Sequence, residues 1–486
     1  MYLGIDLGTS ELKALLLADD HRIIGTAAVA LELQRPHPLW AEQNPADWRE
    51  AMLAAVDRLA AEHPAELAAV RAIGLSGQMH GAVLLDARDE VLRPAILWND
   101  GRAHAECAAL EAAVPSARAI TGNIAMPGFT APKLLWARRH EPGTYAQTRL
   151  VLLPKDFLRF CLSGAKISDC SDASGTYWLD VGRRSWSGEL LEACGLNESH
   201  MPGLAEGSAA TGELRPELCR RWGMQSGVVI AGGAGDNAAS AIGMGIVAAG
   251  QGFVSLGTSG VIFLASDGFR PNPPLGVHAF CHALPGSWHQ MSVMLSAASC
   301  LAWVSRLTGR EITELLAAVE QLAPLAQAGA PVFLPYLSGE RTPHNDATAA
   351  GAFIGLTQAH GAADLAYAML EGVAFGLKDG LLALDPELPS LAPLALVGGG
   401  ARSPFWAQLL ADALAVPLTL AQGSATAAAL GAARLGWLAQ GGAPDAVCRT
   451  AEASARFTPD AARGDALAPR YEKFRAAYPA LHPSKG

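Results

Sequence analysis

Gly4-Ile5-Asp6-Leu7-Gly8-Thr9-Ser10 stands near the start of the chain, and Gly252-Phe253-Val254-Ser255-Leu256-Gly257-Thr258-Ser259 echoes it about half the chain later. Each stretch is an apolar run ending in Leu-Gly-Thr-Ser. Each is followed by a second apolar run, Leu12 to Leu17 in the first case and Val261 to Leu264 in the second. Leu3, Ile5 and Leu7 alternate with Gly4, Asp6 and Gly8, the two-residue period of a strand. Glycines beside an acid on one face suggest that something approaches the backbone there. Two strand–turn–strand units at equivalent places in two halves predict one domain design used twice, each copy presenting its Gly-Thr-Ser turn to a shared cleft.

The surroundings of both units read as α/β. A third strand starts at Ile23. Asn44 can cap a helix whose first turn takes Pro45 and whose apolar face holds Trp48, Met52, Ala55, Val56 and Leu59. A strand near Val70 to Leu75 runs into Ser76-Gly77-Gln78-Met79-His80-Gly81, and strand-like Ala82 to Leu85 and Ala95 to Trp98 follow. In the second half a helical stretch covers about 362–384. Leu394 to Val397 then leads into Gly398-Gly399-Gly400-Ala401-Arg402-Ser403, and a helix starts at Pro404 with Ser403 as its cap. Strands first, then helices alternating with strands, exclude all-α and all-β classes. Residues 110–225, with Met126 to Lys133 and Pro154-Lys155-Asp156, read as an elaboration of the first domain. The expected division is 1–245, 246–440 and a peripheral helical tail, 441–486.

Length and composition agree with two domains. The chain has 486 residues, half of them apolar and 17% charged, with a formal net charge of −10. An acidic chain with no Lys/Arg-rich block is a poor partner for nucleic acid or an anionic membrane. Its eight cysteines form no C-x-x-C pair, which points to reduced thiols in the cytoplasm and away from zinc. The start, Met1-Tyr2-Leu3-Gly4-Ile5-Asp6, has no basic leader. The weakly polar stretch from Ser226 to Ser266 is broken by Asp236, Asn237, Gln251 and glycines, so it makes no membrane span. A homodimer stays open.

The turns suggest phosphate chemistry. A phosphate chain takes several N–H donors and hydroxyls at close range, and glycine admits it to the backbone. Gly8, Thr9, Ser10, Gly257, Thr258 and Ser259 supply both. One Leu-Gly-Thr-Ser would be read as an ordinary turn; two, one of them preceded by Asp6, favour phosphate. A carboxylate beside a triphosphate calls for a divalent cation between them, and Mg²⁺ is commonly held by one or two carboxylates plus phosphates. Gly232-Gly233-Ala234-Gly235-Asp236-Asn237 follows the strand Val228 to Ile230 and precedes an Ala-rich helix. Asp236 there suits a helix cap and equally a base for an attacking hydroxyl, since phosphoryl transfer asks mainly for positioning. Gly398 to Gly400 between strand and helix is a nucleotide-type turn. It lacks the dinucleotide spacing, and the chain holds no P-loop. Gln78-Met79-His80 follows a strand, although a lone histidine is more often structural. Trp98-Asn99-Asp100-Gly101-Arg102 joins one aromatic to a polar cluster suited to gripping a polyol.

Together Gly4 to Ser10, Gly77 to Gly81, Ile96 to Arg102, Met126 to Trp136, Gly235 to Asn237, Ser255 to Gly260, Phe333 to His344 and Gly398 to Ser403 resemble the FGGY carbohydrate kinases, from residue 1 to about 435. The resemblance implies two ribonuclease-H-like domains of the actin/hexokinase type, with ATP and a sugar in the cleft between them. It implies Asp236 as catalytic base and Asp6 as organiser of Mg²⁺-ATP, through water. Met79, His80, Asn99, Asp100, Arg102, Asp236 and Asn237 would meet the sugar. Gly8, Thr9, Ser10, Lys13, Gly257, Thr258 and Ser259 would hold phosphates, and Gly398, Gly399, Gly400 and Ala401 would lie near adenosine. The branch it resembles most phosphorylates D-xylulose to D-xylulose 5-phosphate. Kinases for ribulose, gluconate, fuculose or glycerol, an actin-like ATPase without a sugar, and a sugar-responsive regulator are the alternatives. Two departures stand out. Glu11 replaces a frequent glycine and is expected to face solvent. Ser424 to Gly431 is unusually rich in alanine, which leaves the adenine contacts open.

Overall fold

Both hairpins form. Tyr2–Leu7 pairs antiparallel with Glu11–Leu17, and Gly252–Leu256 pairs the same way with Gly260–Ser266. The computed structural model describes residues 1–384, 391–421, 426–450 and 452–482. Within these residues each hairpin nucleates a seven-stranded sheet, and the two sheets are built alike. On the outer side of each hairpin lies a third antiparallel strand, Ile23–Ala30 in the first sheet and Trp288–Met294 in the second. On the inner side lie two parallel strands, Ala72–Gly77 then Val229–Ala231, and Leu394–Val397 then Leu418–Ala421. An antiparallel strand closes each, Ala210–Glu213 and Ala453–Phe457.

A parallel neighbour needs a crossover, usually a helix. Pro45–Glu62 provides it in the first half. Asn44 Oδ1 accepts from the Ala46 N–H at 3.1 Å, and Trp48, Met52, Val56 and Leu59 are buried against the sheet. In the second half Ala362–Ala383 does the same, with Leu370, Val373 and Leu377 in the largest core. The inserted segment after residue 100 is a set of helices, among them His104–Ala113, Thr130–His140 and Pro154–Ser163. Part of it, including Phe129, Leu134 and Trp178, packs with Phe263, Phe280 and Met291 of the second sheet.

Two features depart from the expected division. First, the residues after 440 are more than a peripheral helical tail. Ala453–Phe457 completes the second sheet, and Ala461–Leu481 buries Leu467, Tyr471, Phe474 and Tyr478 in its core. Arg470 makes a bidentate pair with Glu371, both contacts at 2.6 Å. A fork matched to a carboxylate in a dry site is geometrically demanding, so this helix has one seat. Second, Ala427–Ala439 falls in sequence between two strands of the second sheet, Leu418–Ala421 and Ala453–Phe457, yet lies on the first. A Cβ on Gly4 would sit 1.9 Å from Ala429 O, and one on Gly431 would sit 1.8 Å from Ala239 O. The helix therefore touches strand Tyr2–Leu7 and helix Asp236–Met244 backbone to backbone. The alanine-rich composition of 427–433 is the packing requirement of that approach. Ser424 and Ala425 lie outside the described residues. Among the described residues no helix is long and apolar enough to cross a membrane.

Candidate active site

The cleft follows from where the parallel strands end. Gly77 is opposite Leu7, and the short strand Ala234–Gly235 pairs with Ser76 and Gly77. Three strand ends thus converge, and they carry Asp6, Gln78 and Asp236. Asp236 begins the helix Asp236–Met244, where the partial positive charge of the first turn favours a carboxylate. Its Oδ1 accepts from the Asn237 backbone N–H at 2.7 Å and from Asn237 Nδ2 at 2.9 Å. Burial nevertheless raises the Asp236 carboxyl to about 7, and the nearby Asp6 adds to the rise. Asp6 accepts from Ser76 Oγ at 2.9 Å. Burial raises it too, against the lowering effects of Ser76 and Lys13. Two carboxylates in one cleft, both with the charged form disfavoured, are the electrostatic setting that a divalent cation relieves.

Across from Asp236 a cavity of about 460 Å³ opens between its helix and the second sheet. Asn237 and Ser240 line one wall, Phe253 and Ser255 another, and Gly398 and Gly399 a third. Gly398 has φ +97°, and a Cβ there would fall 2.6 Å from Leu256 O and 3.1 Å from Gly257 N. Only glycine lets this turn meet the second hairpin. The cavity does not include Asp6, Asp236 or His80; Asn237 links it to Asp236. Gly400 and Ala401 point elsewhere than expected. They are buried, Ala401 in the second domain's core and Gly400 against Leu256 and Trp406.

The first turn is tied down by side chains. Thr9 Oγ1 donates to Gln78 Oε1 at 3.1 Å and accepts from Trp98 Nε1 at 3.0 Å, while Gln43 Nε2 donates to Thr9 O. Gly8 N donates to Glu11 O to close the turn, and Ser10 is exposed. Lys13 lies opposite Asp6, with its ammonium 3.1 Å from the carboxylate of exposed Glu11. Glu11 therefore faces outward beside a cation. In the second turn Thr258 and Ser259 are exposed and Gly257 is half-buried.

Met79 and His80 follow the strand end beside Gly235 and Asp236. Met79 packs under Gly235, where an added Cβ would meet its sulfur at 2.8 Å. His80 adopts φ +70°, and its Nδ1 is 2.7 Å from Gly175 O, so that nitrogen carries the proton. Burial, with help from the Lys133 charge, lowers the imidazole to about 3; it is neutral and offers Nε2 as an acceptor. Asn99 has a buried Oδ1 without a protein partner. Asp100 and Arg102, expected at the sugar, are engaged with each other instead. Arg102 contacts both Asp100 oxygens at 2.7–2.9 Å, reaches Glu42 and stacks 3.5 Å over Trp40, while Asp100 also accepts from the Ala41 N–H. That buried pair holds the loop beneath Trp98 and Asn99 and leaves neither group a free face for a ligand.

One group escaped the sequence reading. Arg341 Nη1 donates to His278 Nε2 at 3.2 Å, and His278 Nδ1 then donates to Asn123 Oδ1 at 2.8 Å. The Arg341 charge is felt by His80, so the second half brings a cation close to the His80 imidazole. Nothing local in Gly339-Glu340-Arg341-Thr342 signals this, because its partners lie far off in sequence.

The family comparison agrees with the geometry. The N-terminal domain of the FGGY family of carbohydrate kinases matches residues 1–243, and its C-terminal domain matches residues 252–440. The chain belongs to the FGGY family of carbohydrate kinases. Xylulose kinase of Escherichia coli (strain K12) is 51% identical over 99% of both chains. Xylulose kinase of Klebsiella pneumoniae is 52% identical over 90% of both. A crystal structure of a xyloylose kinase from Brucella ovis superposes with a TM-score of 0.96 at 52% identity, again over 99% of each chain. The FGGY fold, two domains of the actin/hexokinase type, accounts for the duplicated sheets described above.

Proposed function

We propose that this FGGY kinase transfers the γ-phosphoryl group of ATP to D-xylulose, giving D-xylulose 5-phosphate and ADP, with Asp236 as the base. The observation that carries the reading is the Asp236 carboxyl, held by Asn237 and raised to about 7 in the cleft it shares with Asp6. A base poised near neutrality combines a usable deprotonated fraction with affinity for the leaving proton.

Asp236 accepts the proton of the attacking sugar hydroxyl at a carboxylate oxygen, and Asn237 keeps that oxygen aimed. Neutral His80 accepts a hydroxyl hydrogen at Nε2, and Asn99 Oδ1 accepts another. The nucleotide fits the cavity lined by Ser255 and Gly398–Gly399, its phosphates reaching toward the Gly257-Thr258-Ser259 turn and the Gly8–Ser10 turn. Asp6 is the group suited to a water-held Mg²⁺, which when bound neutralises phosphate charge. The substrate choice draws support from the two xylulose kinases that share half of this chain's residues. The cytoplasm is the proposed compartment, in keeping with eight unbridged cysteines.

Coupled ADP release across D-xylulose, ribulose, gluconate, fuculose and glycerol tests the reading. D-xylulose is expected to lead in kcat/KM by about 10²-fold, since a site that pairs a substrate hydroxyl rejects analogues lacking it more strongly still. Another sugar ahead of it overturns the substrate; ADP release with no sugar dependence overturns the kinase reading.

A further inference from the structure

Pro154-Lys155-Asp156 leads into a group of charges that the chemistry above does not use. Lys155, Asp156, Arg159, Asp169 and Asp172 are all fully buried. Lys155 Nζ lies 2.6 Å from Asp156, 2.7 Å from Asp169 Oδ1 and 3.3 Å from Asp172. A buried assembly of this kind is a poor way to stabilise a fold, because desolvation offsets most of the attraction and apolar replacements commonly do as well or better. Its neighbours suggest another purpose. Asp169 Oδ2 accepts from Ser171 Oγ, and Ser171 Oγ accepts from the Gly235 backbone N–H at 3.2 Å. Arg159 Nη1 donates to Ala231 O at 2.5 Å, and Nη2 donates to Gly232 O. The backbone from 231 to 235 is therefore gripped at three points, and the next residue is Asp236. Lys155 also backs the neighbouring strand end; a Cβ on Gly77 would lie 3.1 Å from Lys155 Cβ.

We propose that Lys155, Asp169, Ser171 and Arg159 form a positioning device for the Asp236 base, acting through the 231–235 backbone; this rests on the assignment of Asp236 as base. The chain of contacts is directional. The Lys155 ammonium fixes the Asp169 carboxylate, Asp169 orients the Ser171 hydroxyl as a donor, and the freed lone pair of Ser171 receives the Gly235 N–H. The surrounding charges keep it so. Burial alone would lower the Lys155 ammonium, but the three carboxylates hold it above its ordinary value. Burial pushes Asp172 well above the usual carboxylate range, against the lowering effect of Lys155. The segment before Asp236 is glycine-rich and close-packed: Ala231 and Ala234 are fully buried, and Gly232 N and Gly233 N donate to Ala209 O and Gly207 O. The side-chain clamp adds a further hold next to the base, where misplacing a reacting group by about 1 Å is worth on the order of 10²-fold in rate.

Ser171→Ala tests this in the full-length enzyme. The expected result is a loss of about tenfold in kcat, with KM for ATP and sugar within about twofold and a melting temperature within about 2 °C of the parent. In an Asp236→Asn background, the same substitution is expected to cost nothing further in single-turnover phosphorylation, because a device that acts through the base has no effect once the base is gone. Lys155→Met is expected to lose about 10²-fold in kcat; if it fails to fold, Ser171→Ala still decides. Full kcat in Ser171→Ala, or an equal loss with and without Asp236, overturns the proposal while leaving Asp236 in its role. An active Asp236→Asn enzyme instead overturns the base assignment itself.

Discussion

The two Gly-Thr-Ser turns share a backbone and differ in what their side chains are bound to. Thr9 is fastened by Gln78 and Trp98, and its carbonyl by Gln43. In the second turn it is the backbone that is held. Gly257 O accepts from the Ala298 N–H, and Thr258 O accepts from the Ala297 N–H and Ser299 Oγ. The strand positions before the turns diverge too: Asp6 in one half corresponds to Ser255 in the other. Duplication kept what the sheet needs, alternating apolar residues and a tight turn. It released the polar positions, so that one copy gathers the acids Asp6 and Asp236 and the other lines the cavity of about 460 Å³ with Ser255.

Experiments can break or sharpen that contrast. The largest effect belongs to Asp236→Asn, expected to lower kcat by about 10²–10⁴-fold with the ATP dissociation constant nearly unchanged; a parallel loss of ATP binding would assign Asp236 to the nucleotide side. Next is the corresponding pair. Asp6→Asn is expected to lower activity by about 10²-fold and raise the Mg²⁺ requirement, whereas Ser255→Ala is expected to cost under about threefold. Equal losses would mean that the halves are not specialised.

The pH profile comes third. A base works deprotonated, so kcat/KM for the sugar is expected to fall as pH drops through about 7, by about tenfold per unit below it. Asp6→Asn removes a like charge and is expected to move that limb to lower pH. A limb that stays in place would separate the two carboxylates. The smallest effects come from the turns. Thr9→Val removes two side-chain hydrogen bonds and is expected to cost about 1–2 kcal/mol in denaturant titration. Thr258→Val is expected to leave stability within about 0.5 kcal/mol and to show itself in the KM for ATP. Equal stability losses would erase the distinction between a fastened and an open turn.

Much of this was legible beforehand for reasons that are local. Strand alternation and the Leu-Gly-Thr-Ser endings mark both hairpins, and the caps at Asn44 and Ser403 stand where the sequence suggests. The glycine run before Asp236 marked it out, as suited to a helix cap as to a base. Other residues misled because their type says nothing about their partners. Asp100 and Arg102 look like sugar ligands and turn out to satisfy one another under Trp40. Arg341 looks like a loop residue and reaches His278.

What the sequence determined by itself was the repeated sheet, the turns and the glycine-flanked acids Asp6 and Asp236, since period, glycine and acid are properties of neighbouring residues. Only the tertiary structure decided that Ala427–Ala439 lies on the first sheet, that Ala453–Phe457 completes the second, and that Lys155 reaches the segment before Asp236. Those facts depend on which surfaces meet after long loops close, and burial, which raises Asp236 to about 7, exists only once they have met.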